Sequence, residues 1–219
     1  MQLYNYFRSS ASYRVRIALN LKALDYQQVG VHLLKEGGAQ FSSDYQALNP
    51  EQLVPLLGDT VNGQTHWISQ SLAILEYLEE AYPETAALLP KTFADRAYVR
   101  AIALAIACDI HPINNLRVLK YLSAELGASE EQKNTWYRHW CTLGLSALEK
   151  RLLNDGRRGQ FCFGDQVTMA DCCLIPQIFN AQRFNCDLSA MPNLLEINQN
   201  CLALEAFKQA APAMQADAE

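Results

Sequence analysis

Reactive chemistry needs small polar side chains held at exposed junctions, and the chain has two junctions of that kind. Ser9-Ser10 follows Leu3, Tyr4, Tyr6 and Phe7, a run with strand character. It precedes a helical stripe at Val15, Ala18 and Leu19. Backbone N–H groups at such a junction, with the positive end of the helix dipole, favour an anion. The plainer alternative is a capped helix with Arg14 and Arg16 solvated near its first turn. Gln70-Ser71 repeats the arrangement ahead of Leu72, Ile74, Leu75 and Leu78. Its hydroxyl and orphan N–H groups suit a carboxylate, and an ordinary N-cap is the simpler alternative. Between these two, Val54-Pro55 borders a third strand. Proline cannot donate to a ladder, so this is an edge-strand proline, or a turn or cis bond that leaves the preceding backbone to pair with a ligand.

The elements that must position these groups are legible from period and punctuation. A strand over Gln2–Phe7, a helix and a strand over Tyr26–Leu33 make a βαβ unit. Gly37-Gly38 opens a connection to Asn49. Runs at Val54–Leu57 and Thr65–Ile68 then flank an Asn62-Gly63 turn, and a helix begins at Gln70-Ser71. Pro83 ends that helix and residues 84–90 read as a linker. Beyond it the 3.6-residue period predicts helices over about 93–126, 129–153, 168–184 and 192–209. Phe161–Phe163 carries only a weak strand pattern, and the polar, Ala-rich tail after Pro212 is expected to fray. The parse is a small α/β domain over 1–83 followed by an all-helical domain over 91–219.

Composition narrows the function classes. The 219 residues carry 18 Lys and Arg against 23 Asp and Glu, a net charge of −5. No basic run is present to neutralise phosphates, so nucleic acid is not an expected partner. No apolar stretch approaches the ~20 residues a bilayer requires, and Met1–Tyr6 lacks the pattern of a signal peptide. The seven cysteines begin only at Cys108 and contain no C-x-x-C pair, and the four histidines are scattered without ligand spacing. No metal is expected, and the compartment is expected to be the cytoplasm.

The motifs, taken in order, carry a resemblance. Tyr6-Phe7-Arg8-Ser9-Ser10-Ala11-Ser12-Tyr13-Arg14 resembles the Ser-Ser-Cys signature of zeta-class glutathione transferases, the maleylacetoacetate isomerases. Ala47-Leu48-Asn49-Pro50, Val54-Pro55, Gln70-Ser71-Leu72-Ala73-Ile74 and Leu88-Leu89-Pro90 are similar to the same class. So is Gly164-Asp165 through Asp171, in which Thr168 and Asp171 have capping-box spacing. Cys108-Asp109-Ile110-His111-Pro112-Ile113-Asn114-Asn115 resembles the bacterial maleylpyruvate isomerases in particular.

The resemblance implies a thioredoxin-like first domain, an all-helical second domain, a homodimer and glutathione as cofactor. It places thiol contacts at Ser9, Ser10 and Ala11, and further glutathione contacts at Gln40, Val54, Gln70, Ser71, His111, Asn115, Leu116 and Arg117. Ala11 departs from the class, which usually has cysteine there. The implied reaction is cis–trans isomerisation of a dicarboxylate keto acid by reversible thiolate addition. Arginine suits such carboxylates, with Arg8 and Arg183 foremost and Arg117 third. Ser9 is expected to steady the thiolate while Ser10 caps the helix. Read without the resemblance, His111 before Pro112 marks a helix break and Arg183 complements a helix C-terminus. A non-catalytic binding module and a general conjugating transferase are the competing functions.

Overall fold

β1 (Gln2–Asn5) and β2 (Gln27–Gly30) are parallel neighbours joined by α1 (Ser10–Leu21), a βαβ crossover. The computed structural model describes residues 1–219. α2 (Ser43–Leu48) then leads to a hairpin, β3 (Leu56–Val61) and β4 (Gln64–Ser69), whose turn residues Asn62 and Gly63 both have positive φ. That is the conformation an Asn-Gly hairpin supplies. β3 pairs antiparallel with β1, giving a four-stranded sheet in the order β2-β1-β3-β4. α3 (Ser71–Ala81) follows β4 and packs on α1.

Alternation along the strands sorts the core into two layers. Leu3 and Leu57 are cross-strand partners, fully buried on one face. Tyr4 and Leu56, the adjacent pair, point the other way and join Val31, Tyr45, Leu48 and Val54 in a single cluster. The strands begin and end up to a few residues away from the expected ones, because ladder pairing rather than residue type sets their ends.

This α/β unit comprises residues 1–88 together with 203–219, and the helical unit comprises 89–202. The division departs from the expected one at the chain's far end. α9 (Glu205–Ala210) packs on α1, and the tail beyond it is ordered rather than frayed. Gln215 is buried, its amide donating to the carbonyls of Gln209 and Ala211 at 2.8 Å and accepting from Gln28 at 3.0 Å.

The helical unit holds α4 (Phe93–Leu104), α5 (Leu116–Ala124), α6 (Glu130–Asp155), α7 (Met169–Arg183) and α8 (Pro192–Leu202). α6 opens with a full capping box at Ser129 and Gln132 and ends at left-handed Gly156. Asp171 accepts from the N–H groups of Thr168 (2.7 Å) and Cys162 (2.8 Å), tying the start of α7 to the preceding loop. Phe161–Phe163 forms bends rather than a strand; one bridge, Arg158 to Gly164, spans it.

The expected single helix over 93–126 is broken. A π-turn occupies Ala105–Ile110 and a 3-10 turn occupies Pro112–Asn114. His111 N–H reaches back five residues to Ile106 (2.9 Å) because Pro112 cannot continue the α ladder. Contrary to the expectation from sequence, the helical run 93–124 is long and apolar enough to cross a membrane by length and composition. Here Tyr98, Val99, Ile102, Ala103, Ile106 and Ile110 are buried, and α4 packs on α7.

Candidate active site

Strand register brings four loops to one end of the sheet. Asn5 pairs with Gly30, Tyr4 with Leu56, and Leu56 with Ser69. The segments carrying Ser9, Gln40, Val54 and Gln70-Ser71 all leave the sheet from that edge. In doubly wound α/β architectures this carboxyl edge is where ligands bind.

The serine loop is a tight turn, closed by Ser9 N–H donating to Tyr6 O at 3.0 Å. Ser9, rather than Ser10, caps α1: its Oγ accepts from Ser12 N–H at 3.2 Å. Ser10 is the first helical residue and is buried, and Ala11 follows it half-buried. The expected division of labour between the serines therefore changes. A capping hydroxyl accepts through oxygen and keeps its own proton to donate, so Ser9 can serve both ends.

Beside the loop, the Arg8 guanidinium donates to Tyr6 Oη (2.8 and 3.2 Å) and lies 5.0 Å from the centre of the Phe7 ring. It is held as a flat fork at the edge of the loop.

Val54-Pro55 is a cis peptide, one of the geometries its sequence allowed. The β3–β4 ladder begins at Leu56, so Val54 stands outside it. Its loop is fixed from behind, where Tyr45 Oη (2.6 Å) and Asn49 Nδ2 (2.8 Å) both donate to Leu53 O. Pro50 follows Asn49 in a motif whose polar member is thus structural.

The start of α3 is not the ordinary cap. Gln70 sits at the N-cap position with φ of 67° and makes no side-chain capping bond. Its amide instead donates to Glu51 (2.7 Å), which also accepts from Ser69 Oγ (3.1 Å). The first N–H groups of α3 are thus left without a side-chain cap. Under them lies Arg14, 2% exposed, whose guanidinium donates to Ser71 Oγ at 3.1 Å. A helix N-terminus backed by a buried cation is an anion site twice over.

Arg14 and Arg16 are thus not solvated. Arg16 is fully buried, and its guanidinium binds Asn5 Oδ1 (2.9 Å), Phe7 O (2.9 Å) and Ala210 O (3.0 Å). Burial lowers its pKa to about 10, and Asp217, Tyr26 and Tyr13 act in the opposite direction. Arg14 shares a helix face with Ala18 and Leu21, the i+4 and i+7 positions of the apolar stripe, which is the sequence signal of its burial. Arg16, Glu51 and Asn49 carry no comparable signal.

Gln40, in the 3-10 turn Ala39–Phe41, is 6% exposed, and its Oε1 is buried with no hydrogen-bond partner. A buried amide oxygen without a donor is costly in isolation and fits a group that supplies one.

The remaining sequence candidates belong to the helical unit. His111 is half-exposed at the end of the π-turn. Asn115 caps α5, its Oδ1 accepting from Arg117 N–H (3.0 Å) and Val118 N–H (3.3 Å). Leu116 and Arg117 are exposed in the first turn of α5. Arg183 is exposed at the end of α7, donating to Asn180 Oδ1 at 2.7 Å. Asn114, which sequence reasoning passed over, is 5% exposed with both amide atoms unpartnered. Gly144 lets α6 close on the π-turn, since a side chain there would collide with Ile110.

Two family models match the chain. One is the N-terminal domain of glutathione S-transferase over residues 3–86, and the other is its C-terminal domain over residues 144–196. A probable maleylacetoacetate isomerase of Vibrio cholerae is 50% identical over 216 residues, 99% of this chain and 97% of that one. Among solved structures, the holo form of a maleylpyruvate isomerase, described as a bacterial zeta-class glutathione S-transferase, superposes with a TM-score of 0.94. It is 46% identical and covers 100% of both chains. A maleylacetoacetate isomerase from Methylobacterium extorquens AM1 with bound malonate and glutathione superposes with a TM-score of 0.93. It is 39% identical, again over 100% of both. With relatives this similar along its whole length, the chain belongs to the glutathione S-transferase family, on the zeta-class branch of maleylacetoacetate and maleylpyruvate isomerases.

Proposed function

We propose that the protein is a glutathione-dependent cis–trans isomerase of a maleyl-substituted keto acid, maleylacetoacetate or maleylpyruvate. The observation that carries this reading is the uncapped start of α3 over the buried Arg14 guanidinium, on the same sheet edge as the Ser9 hydroxyl. A tripeptide with a carboxylate at one end and a thiol in the middle fits that pairing. When bound, glutathione supplies a thiolate that adds reversibly to the conjugated double bond, permitting rotation, and is released unchanged.

The chain's own residues do the rest. Ser71 and the N–H groups around it hold the γ-glutamyl carboxylate, with Arg14 behind them and Gln70 beside them. Val54 offers extended backbone to the cysteinyl unit, and Gln40 offers its unpartnered carbonyl to a peptide donor. Ser9 donates its hydroxyl proton toward the sulfur, favouring the thiolate, while Ser10 and Ala11 line the first turn of α1. Arg8, Arg183 and Arg117 are the guanidinium groups assigned to substrate carboxylates and the developing enolate. His111, Asn115, Leu116 and Arg117 complete the glutathione contacts by family resemblance.

A homodimer and a cytoplasmic setting belong to the same reading. Phe93 is 92% exposed on α4 and Leu104, three turns on, is 47% exposed, an apolar face that suits a second copy. Seven free cysteines suit a reducing compartment.

The test is turnover of both maleyl keto acids with catalytic glutathione. The fumaryl isomer should accumulate with no loss of glutathione. The Cys108–Asn115 resemblance favours maleylpyruvate as the better substrate. Accumulation of a stable glutathione conjugate would assign a conjugating transferase instead, and glutathione binding without turnover a binding module.

A further inference from the structure

The buried guanidinium of Arg16 and the ordered tail meet on the serine loop, although composition marks the tail as dispensable. The turn Tyr6–Ser9 presents Ser9 and Arg8, and its backbone is gripped from two sides. Arg16 takes Phe7 O at 2.9 Å, and Asp217 Oδ2 accepts Phe7 N–H at 3.0 Å. Both groups of one peptide-bearing residue are thus fixed by side chains, one of them 210 residues away in sequence. Asp217 also faces Arg16 and offsets part of the cost of burying that charge.

The tail is built to hold this carboxylate in place. Arg16 Nε donates to Ala210 O, Asn20 Nδ2 to Ala206 O, and Gln28 Nε2 to Gln215 Oε1, each at 3.0 Å. Two residues past Asp217, Glu219 accepts from His32 Nε2 at 3.1 Å and pairs with Lys35. Those two residues lie on the stretch between β2 and Gln40, so the tail touches two of the four loops at the site edge.

We propose that Asp217 is a positioning residue: through Phe7 N–H it sets the turn that aims Ser9 and Arg8, and the tail is a strap across the glutathione edge of the sheet. This rests on the isomerase reading for its kinetic consequence, but its structural consequence can be read without substrate. An unheld Phe7 N–H would let the turn relax, and misplacing a donor by a fraction of an ångström is enough to weaken a preorganised contact.

The experiment uses the full chain with Asp217→Ala and Asp217→Asn. Hydrogen exchange over residues 4–12 reports the turn, calorimetry reports glutathione affinity, and steady-state kinetics report kcat and KM. Asp217→Ala should speed exchange in that segment at least tenfold and lower kcat/KM about tenfold, with the thermal midpoint lowered by only about 2–4 °C. The asparagine carbonyl still accepts from Phe7 N–H, so Asp217→Asn should come back to within about threefold of the parent. Unchanged exchange in Asp217→Ala would overturn the proposal, whatever the enzyme turns out to catalyse. Equal impairment in both variants would also overturn it, because it would assign the effect to the charge beside Arg16. If the parent does not isomerise either keto acid but exchange responds as stated, the isomerase reading fails and the strap stands.

Discussion

At the scale of single residues, Ser9 is where the proposed mechanism makes stability and catalysis share one atom. Its oxygen accepts from Ser12 N–H and caps α1, so removing it costs about 1 kcal/mol of stability. In the proposed mechanism its proton is the donor for the sulfur, and one well-placed donor to a developing anion is worth about a hundredfold in rate. Ser9→Ala should therefore lower kcat by about two orders of magnitude while unfolding only slightly earlier, as paired kinetics and thermal melts would show. Ser10→Ala should affect both far less, since Ser10 is buried inside the first turn and is not the cap. If Ser10→Ala proves the more damaging to kcat, the donor is Ser10. That both serines sit between a strand and a helix was legible in the sequence. Which of them caps was not, because that choice depends on where the β1–α1 turn closes, and the turn is held by Arg16.

Elements were legible where period and punctuation agree, and illegible where distant partners decide. The crossover, the Asn62-Gly63 hairpin and the α7 capping box of Thr168 and Asp171 all follow from local residue types. The burial of Arg16 does not, since its partner Ala210 lies 194 residues away, and the stripe that marks Arg14 as buried does not name its partner Ser71, 57 residues off. The start of α3 shows the same limit. A serine before an apolar stripe reads as a cap, yet here Gln70 holds the cap position and turns its amide to Glu51. A helix left without its side-chain cap gives up stability and retains N–H groups for a ligand. Ser71→Ala should weaken glutathione binding about tenfold, the value of one hydrogen bond to a charged group, and lower the melting temperature by about 2–4 °C, since the buried Arg14 guanidinium loses that acceptor. Calorimetry giving an unchanged dissociation constant would move the carboxylate away from α3.

Across the whole molecule, the distribution of thiols decides which sulfur can act. Ala11 stands at the cysteine position of the Ser-Ser-Cys signature that the loop resembles, and no cysteine occurs before Cys108. All seven are free; Cys108 is exposed and the other six are buried. Burial pushes the Cys162, Cys172 and Cys201 thiols up, away from the thiolate. Cys141 is raised as well, chiefly by its hydrogen bond with Cys186, which is lowered in turn because the two share that bond. Cys186 is the exception to the general direction, yet it is 9% exposed and its sulfur is engaged with Cys141 inside the helical unit. The α/β unit, which carries the serine loop, thus has no thiol of its own. Isomerisation should depend absolutely on added glutathione. It should also survive treatment of the folded protein with an alkylating agent, followed by removal of the reagent, since that treatment reaches Cys108 first. Mass spectrometry would confirm which cysteines were modified, and the residual rate with fresh glutathione should stay within about twofold of the untreated enzyme. Turnover without glutathione, or a rate that falls in step with alkylation of Cys108, would make a protein sulfur part of the reaction and overturn the assignment of Ser9 to an external thiol.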